Sequence, residues 1–496
     1  MGASCRKTCP CVETLRARLS GDKNAGGGAE EDQEDQQRGE EREAAPAGDT
    51  DLGCPAIYKA VFSYRSRDER EMSFREGDLF EVTSREGDWW AVRKVDPDGR
   101  ALGSGYVPGN FLKWEESVDA QPWYFGNMSR FEAQSHLMCP QNKNGAFLVR
   151  LSQKGHVGYV LSVKQSRVKH FKVFQSDTDF WVEKEHVFCS LADLVNFYQS
   201  NQFSTREPLG QPCKRMEPHP ADLSKATVDE WELPKEEFTL QEQLGSGYFA
   251  DVYRGLWKNQ INVAVKIIKT DSELNHQDFH REVQILKGIR HRHLISLFAI
   301  CTASPPYYII TELMQKGNLL SFLRGSEGAG LEVGSLIDMA SQVANGMSFL
   351  EENKSIHRDL AARNVLVGEN YICKIADFGL ARIIKEPFYI TQDRKIPYKW
   401  SAPEAISHGR FSNKSDVWSF GVLLYEIITH GGAPYPALSN QEAYQKVASG
   451  YRMPCPSSCP NFIYSLMLSC WHAEDAHRPD FKELYDQLCT INSYDI

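Results

Sequence analysis

The chain has 496 residues, 41% of them hydrophobic and 25% charged, and a formal net charge of -10. That is roughly three domains at about 150 residues each, with apolar content for sizeable cores, and an acidic balance that excludes a nucleic-acid footprint, which needs a basic face. The 13 cysteines are scattered and odd in number, unlike a secreted disulfide scaffold, so a reducing cytoplasmic setting is expected; no apolar run reaches the roughly 20 residues of a membrane span.

Residues 1–54 read as a disordered acidic tail, because the stretch from Glu30 to Glu43 is rich in Glu, Asp and Gln and cannot bury enough surface to order itself. Its start, Met1-Gly2-Ala3-Ser4-Cys5, resembles an acylation signal, with Gly2 as the myristoyl site and Cys5 as the palmitoyl site, although Arg6 stands where Ser or Thr is usual. That resemblance implies peripheral attachment to the cytoplasmic face of the plasma membrane through two anchors. The competing reading is an unmodified start.

Residues 55–116 read as short strands: Ala60 to Tyr64, Met72 to Phe74, Phe80 to Val82, Trp89 to Val92 and Gly105 to Pro108, separated by charged or glycine-bearing turns. This is a small all-β barrel pattern that resembles an SH3 domain. The resemblance implies a groove of Phe62, Tyr64, Trp89, Pro108 and Phe111 for proline-rich segments, with Glu71 taking a basic ligand residue. Phe62 and Phe111 stand where tyrosines are usual, so ligand binding is expected to be weaker. Alternation sends Trp90 and Val92 to the core and Trp89 to the opposite face.

Residues 123–213 open on Trp123-Tyr124-Phe125-Gly126 and carry Phe147-Leu148-Val149-Arg150 on an expected strand. An arginine ending an apolar strand needs an anion. The run resembles an α+β SH2 domain, in which Arg150 would fork onto a phosphotyrosine phosphate and Arg130, Ser152, His170 and Lys172 would support it. Leu151 replaces the acidic residue common after that arginine.

Residues 214–237 form a linker ending in Trp231-Glu232-Leu233-Pro234. The remainder, 238–489, carries a series of spaced motifs before a short tail, 490–496. Leu244-Gly245-Ser246-Gly247-Tyr248-Phe249-Ala250-Asp251-Val252 is a glycine-rich turn between strands, with Ala250 where a third glycine is usual. Val263-Ala264-Val265-Lys266 alternates as a strand and ends on a lysine. Phe279, Glu282, Leu286 and Ile289 recur at helical spacing, which puts the Glu282 carboxylate on an apolar stripe, an expensive position unless a cation such as Lys266 meets it. Ile309 to Met314 reads as a buried strand running into a connector. Ile356-His357-Arg358-Asp359-Leu360-Ala361-Ala362-Arg363-Asn364-Val365 gathers a carboxylate, two guanidiniums and a carboxamide between apolar segments. Asp377-Phe378-Gly379 and Ala402-Pro403-Glu404 follow.

In this order the motifs resemble a bilobal α+β protein kinase. The resemblance implies that Leu244 to Ala250, Val252, Ala264, Lys266, Thr311, Glu312 and Met314 bind ATP, and that Asn364 and Asp377 hold Mg2+, with Mn2+ able to substitute. Glu282 would pair with Lys266, and Asp359 would take the substrate proton beside Arg363. Ala361-Ala362-Arg363 and Lys399-Trp400 resemble the tyrosine-specific version. The SH3–SH2–kinase order resembles the Src-related cytoplasmic tyrosine kinases, nearest the Brk and Frk branch, and implies phosphotyrosine-bearing and proline-rich partners, an activating phosphorylation at Tyr389 and an inhibitory one at Tyr494. Two functions stay open at this point: an active kinase, and a kinase-shaped adaptor with little catalysis. The presence of Lys266, Glu282, Asp359, Asn364 and Asp377 favours the first.

Overall fold

The computed structural model describes residues 56–85, 87–152, 158–176, 178–202, 208–218, 222–228, 230–247, 250–269, 273–378, 382–383, 389–390 and 396–491. Gly2, Cys5, Tyr248, Phe249 and Tyr494 therefore lie outside the described residues. Residues 55–496 form one compact unit. Among the described residues, no helix is long and apolar enough to cross a membrane.

The barrel is a five-stranded antiparallel sheet in the spatial order Ala101–Pro108, Trp89–Val95, Leu79–Ser84, Ile57–Ala60, Leu112–Trp114. The first strand ends at Ala60 instead of running on to Tyr64. Beyond it the chain leaves the sheet, Val61 N–H donates to the Phe111 carbonyl at 2.9 Å, and Tyr64 bridges Phe74. That departure slides the Tyr64 ring to 5.5 Å from Phe111. Gly109 is required where it stands, because a Cβ there would meet the Trp90 ring at 2.5 Å.

The next module has the sheet order Tyr124–Met128, Phe147–Ser152, Tyr159–Lys164, Val168–Lys172, with helices Arg130–Met138 and Leu191–Ser200. Alternation along Phe147–Ser152 sorts its faces. Phe147 and Val149 join the core with Leu194, Val195 and Tyr198, while Leu148 joins Ala133 and Leu137 under the other helix. Arg150 shares the Leu148 face, toward helix Arg130–Met138.

The larger domain begins with a second five-stranded sheet, ordered Phe238–Ser246, Ala250–Trp257, Ile261–Ile268, Tyr308–Glu312, Leu297–Cys301, with helix Glu273–Gly288 beside it. Its second lobe is built on helices Val333–Glu352 and Asn413–Ile428. Thirteen of the sixteen residues of Asn413–Ile428 are buried, so it is a central strut and not a surface helix.

The linker lies on the barrel. Lys225 N–H donates to Glu71 at 2.8 Å, Ala226 N–H to Asp68 at 2.9 Å, and Arg67 to the Leu223 carbonyl at 2.9 Å. Val228 packs against the barrel core, and Trp231 against the core of the larger domain. Arg290, just after helix Glu273–Gly288, reaches Asp88 of the barrel at 2.9 Å and the buried Asp222 of the linker at 3.0 Å. The middle module meets the second lobe where Phe131 stacks on Tyr371 at 5.5 Å and Glu132 pairs with Arg292 at 3.0 Å.

Candidate active site

Lys266 and Glu282 arrive from different elements and meet. The ammonium lies 2.7 and 2.8 Å from the two Glu282 oxygens and 3.2 Å from Asp377. Burial works against the Lys266 charge, but the Asp377 and Glu282 carboxylates more than offset it, so the ammonium is held above the ordinary lysine range. Glu282, 6% exposed, is thereby compensated as its place on the apolar stripe required.

Strand pairing aligns the rest of the cleft roof. Val252 is opposite both Gly245 and Lys266, on either side of its strand, and Ala264 is opposite Thr311. The glycine-rich turn is tied down by Gly247 N–H to the Ala250 carbonyl (2.8 Å), by Lys269 to the Gly247 carbonyl (2.7 Å) and by Ser246 to Asp251 (2.6 Å). Ala250 is buried, so the missing glycine has become a packing residue, and Leu244 stays exposed. At the connector, the Glu312 carboxylate takes Lys374 at 2.7 Å and Ser296 N–H at 2.8 Å, while its own N–H goes to the Ser296 carbonyl at 3.1 Å. Its carbonyl faces the Thr311 hydroxyl at 3.2 Å, and Met314 is buried beside it.

The loop from Ile356 to Val365 is set from beneath by Asp416 on helix Asn413–Ile428, whose oxygens accept His357 N–H at 2.7 Å and Arg358 N–H at 2.9 Å. Two non-glycine residues with positive φ flank the centre, Arg358 at 69° and Asp377 at 63°, local strain of the kind that functional sites carry. Asn364 donates to the Asp359 carbonyl at 2.7 Å and to its Oδ2 at 2.8 Å, and Arg363 bonds its Oδ1. Burial pushes the Asp359 carboxyl above its ordinary range, and the Arg363 guanidinium opposes that. With its nitrogen spent on Asp359, the Asn364 amide turns its oxygen away from that carboxylate. With half-exposed Asp377, it offers the two hard oxygen donors a divalent cation takes beside phosphates. Glu404 and Arg478 form the expected pair at 2.6 and 3.0 Å. Tyr389 lies on a two-residue strand opposite Phe411.

In the middle module Arg150 is 5% exposed, donates to the Met128 carbonyl at 3.0 Å, and has its Nε buried without a partner among the described residues. Burial and then Arg130 depress its pKa to about 10. His170, bonded to Ser162 at 2.8 Å, is pushed by burial, with Arg130 and Arg150, to about 3. Ser152 is buried and Lys172 exposed over the Phe174 ring at 5.4 Å. These surroundings concentrate positive charge around a buried fork.

In the barrel, Tyr64, Trp89 and Phe111 are only 5%, 2% and 0% exposed, Pro108 is buried and Phe62 half-buried. The expected groove is thus assembled but closed, with Trp89 inside the aromatic cluster and not on an open face. Burial, and then its bond to Glu71, hold the Tyr64 hydroxyl above its ordinary range. Glu71 takes that hydroxyl at 2.7 Å and the backbone amides of Arg67 and Lys225, so among the described residues it meets the linker through its backbone.

One residue that the motifs did not bring forward also bears on the site: Glu426, which accepts the Ala362 N–H at 2.9 Å and the Trp400 indole N–H at 3.0 Å. It carried a legible signal, since it sits on the apolar helix Asn413–Ile428 as Glu282 sits on its stripe.

The family model described as "Protein tyrosine and serine/threonine kinase" matches residues 238–488, the SH2 domain model residues 123–198, and the variant SH3 domain model residues 57–115. Among known proteins, "Protein-tyrosine kinase 6" of Mus musculus is 47% identical over 440 residues, 88% of this chain and 97% of that protein. "Tyrosine-protein kinase FRK" of Homo sapiens is 44% identical over 453 residues, 88% of this chain and 89% of the relative. "Tyrosine-protein kinase Srms" of Homo sapiens is 45% identical over 380 residues, 76% of each. With an SH3 domain, an SH2 domain and a kinase domain in that order, the chain belongs to the Src-related non-receptor protein-tyrosine kinases.

Proposed function

We propose that this kinase transfers the terminal phosphoryl group of ATP with Asp359 as the proton acceptor, Lys266 on the nucleotide phosphates and Asn364 with Asp377 as ligands of Mg2+. The observation that carries this reading is the continuous set of contacts from Glu282 through Lys266 to Asp377, and from Asn364 to Asp359. The metal, when bound, neutralises charge on the phosphate oxygens. Residues Leu244 to Ala250, Val252 and Ala264 cover the nucleotide; Thr311 lines the rear of the adenine pocket, and the backbone of Glu312 and Met314 meets the adenine edge. Asp359 receives the tyrosine proton as the phenol oxygen attacks in line.

The surrounding modules gate that chemistry. The linker strip from Leu223 to Val228 occupies the ligand face of the SH3 domain as an internal competitor, supported by its bonds to Glu71 and Asp68. Arg150, with Arg130, Ser152, His170 and Lys172, takes a phosphotyrosine phosphate. Phosphorylation of Tyr389 raises turnover, phosphorylation of Tyr494 lowers it, and acylation at Gly2 and Cys5 brings the chain to the inner leaflet. The deciding experiment is label transfer from ATP to a tyrosine copolymer by wild type, Asp359→Asn and Lys266→Met. Equal signals from all three would leave only an adaptor. Intact mass of protein from a eukaryotic host tests the acylation.

A further inference from the structure

The turn that follows the catalytic loop touches two parts of the molecule at once. Gly368 comes after strand Val365–Val367, and Glu369–Tyr371 make one short turn of 3-10 helix before strand Cys373–Ile375. Asn370 and Tyr371 are consecutive non-glycine residues in the left-handed region, with φ of 54° and 60°. Asparagine tolerates that conformation and tyrosine seldom adopts it, so packing has to hold the turn. Part of that packing comes from the SH2 domain, where Phe131 on helix Arg130–Met138 stacks on the Tyr371 ring at 5.5 Å and 27°. The Asn370 amide meets the Met216 sulfur, and Phe322 packs on the Tyr371 ring at 5.7 Å.

The other side of the turn carries the connector between the lobes. A Cβ on Gly368 would meet the Ile372 side chain at 2.9 Å and the Met314 methyl at 3.1 Å, so the backbone at 368 is the surface on which buried Met314 rests. Lys316 N–H donates to the Val367 carbonyl at 3.0 Å, and Val367 N–H to the Gly317 carbonyl at 2.8 Å. The Lys316 ammonium lies over the Tyr371 ring at 5.3 Å and pairs at 2.8 Å with Glu327, which also faces the Tyr371 hydroxyl. One ring is thus gripped by the SH2 domain and carries Lys316, two residues past Met314.

We propose that Tyr371 is a positioning residue for the nucleotide: with the SH2 domain docked on its ring, the turn holds Met314 and Lys316 in place, and undocking weakens ATP binding. This rests on the reading above in which the Met314 backbone meets the adenine edge. When Phe131 leaves, the Asn370–Tyr371 pair relaxes toward ordinary φ, Lys316 loses its fixed ring and Met314 its floor. A nucleotide then has to order the connector as it binds, which lowers its affinity. The coupling is reciprocal, so bound ATP tightens the docked SH2 domain by the same factor. The docked arrangement therefore keeps its nucleotide.

The test is steady-state kinetics of the full chain on a tyrosine copolymer, with ATP varied and melting curves alongside. Phe131→Ala removes the grip from the SH2 side and Tyr371→Leu removes the ring; each should raise the KM for ATP about fivefold without lowering kcat. A seam that only blocked the substrate would raise kcat and leave that KM alone. Tyr371→Phe, which keeps the stack on Phe131 and the face under Lys316, should return the KM to within about twofold of wild type. A KM within about twofold of wild type in either Phe131→Ala or Tyr371→Leu overturns the proposal. So does a kcat that falls in step with the rise in KM, because the turn would then be acting on the catalytic loop. If Tyr371→Leu fails to melt cooperatively, Phe131→Ala decides, since Phe131 lies outside both cores of its module. Met314→Pro, which deletes the backbone donor at the adenine edge, separates the two claims. An unmoved KM for ATP in that variant defeats the adenine reading itself, whereas a raised KM there with unmoved values at Phe131 and Tyr371 defeats only the coupling.

Discussion

At Lys266 one ammonium serves two carboxylates, and its removal does two separable things. Lys266→Met should lower label transfer by at least roughly 100-fold, as loss of a preorganised cation does. It should also cost about 3 kcal/mol of kinase-domain stability, the low end for removing one member of a buried ion pair, because the buried Glu282 loses the Lys266 ammonium. The first is read by phosphorylation of a tyrosine copolymer, the second by denaturant unfolding. At Arg150 the prediction concerns shape as much as charge. Arg150→Lys keeps the cation but loses the fork, and phosphopeptide affinity measured by calorimetry should fall at least about tenfold. His170, held neutral down to about pH 3, should leave no titration step of its own in that affinity between pH 5 and 8. Residues such as Lys266, Glu282 and Arg150 were legible because a charge on an apolar strand or stripe demands a partner, whatever the fold. Trp400 was legible only as a tyrosine-kinase mark, since its stack on Arg363 joins segments that only the folded lobe brings together.

At the scale of elements, the linker is held by backbone as much as by side chains. Leu233 N–H and the Trp231 carbonyl pair with Ile300 at 2.9 and 2.7 Å, and Glu232 takes the Thr302 and Ala303 amides. The strip from Leu223 to Val228 meets the barrel by amides given to acidic side chains, a pattern invisible to a search for prolines. Ala226→Pro deletes the amide that meets Asp68. With about 1 kcal/mol of hold removed, the full chain should bind a proline-rich peptide roughly fivefold more tightly in fluorescence polarisation, because the internal competitor is weaker. An unchanged affinity would remove the linker as competitor. Trp231→Ala, which spares the backbone pairing, should still shift the basal rate, as the ring packs on the kinase core. The shortened first barrel strand was likewise beyond sequence pattern, since the alternation from Ala60 to Tyr64 suits both a strand and a bridge.

Over the whole molecule, the seam between the SH2 domain and the second lobe encloses a titratable group. Asp338 is 3% exposed on helix Val333–Glu352 and bonds Gln342 at 2.9 Å. It faces Ser129 and Glu132 across the seam, with Arg292 and His293 on the adjoining loop, Cys373 behind, and Tyr485, Asp486 and Cys489 on helix Phe481–Ile491. Burial, then Glu132, push its carboxyl up to about 7 from an ordinary 3.8. The folded chain therefore binds more protons than the unfolded chain between those values, and this contribution falls as pH rises through 7. Asp338→Asn removes the penalty, so at pH 8 it should melt a few degrees above wild type, with the advantage shrinking toward pH 5; a constant difference across pH would contradict it. His293 works with the opposite sign. Held far below its ordinary range by burial, it costs stability as pH falls below about 6.5. The module order was readable from motifs alone, whereas this seam was not, because Asp338 looks like any polar position on an amphipathic helix until Glu132 is placed across from it.

The linker's two anchors also fix how far anything can move before the kinase feels it. Val228 packs against the barrel core and Trp231 against the kinase core, and only residues 229 and 230 lie between them. Three peptide steps, fully extended, reach about 10 Å, which bounds how far the two anchors can separate. A ligand that lifts the barrel by much more than that distance must pull one anchor out. Length, more than chemistry, then makes the strip a transmission. Lengthening the tether by a few glycines between the anchors, with every contact residue intact, should leave both domains folded and ligand-competent but deaf to each other.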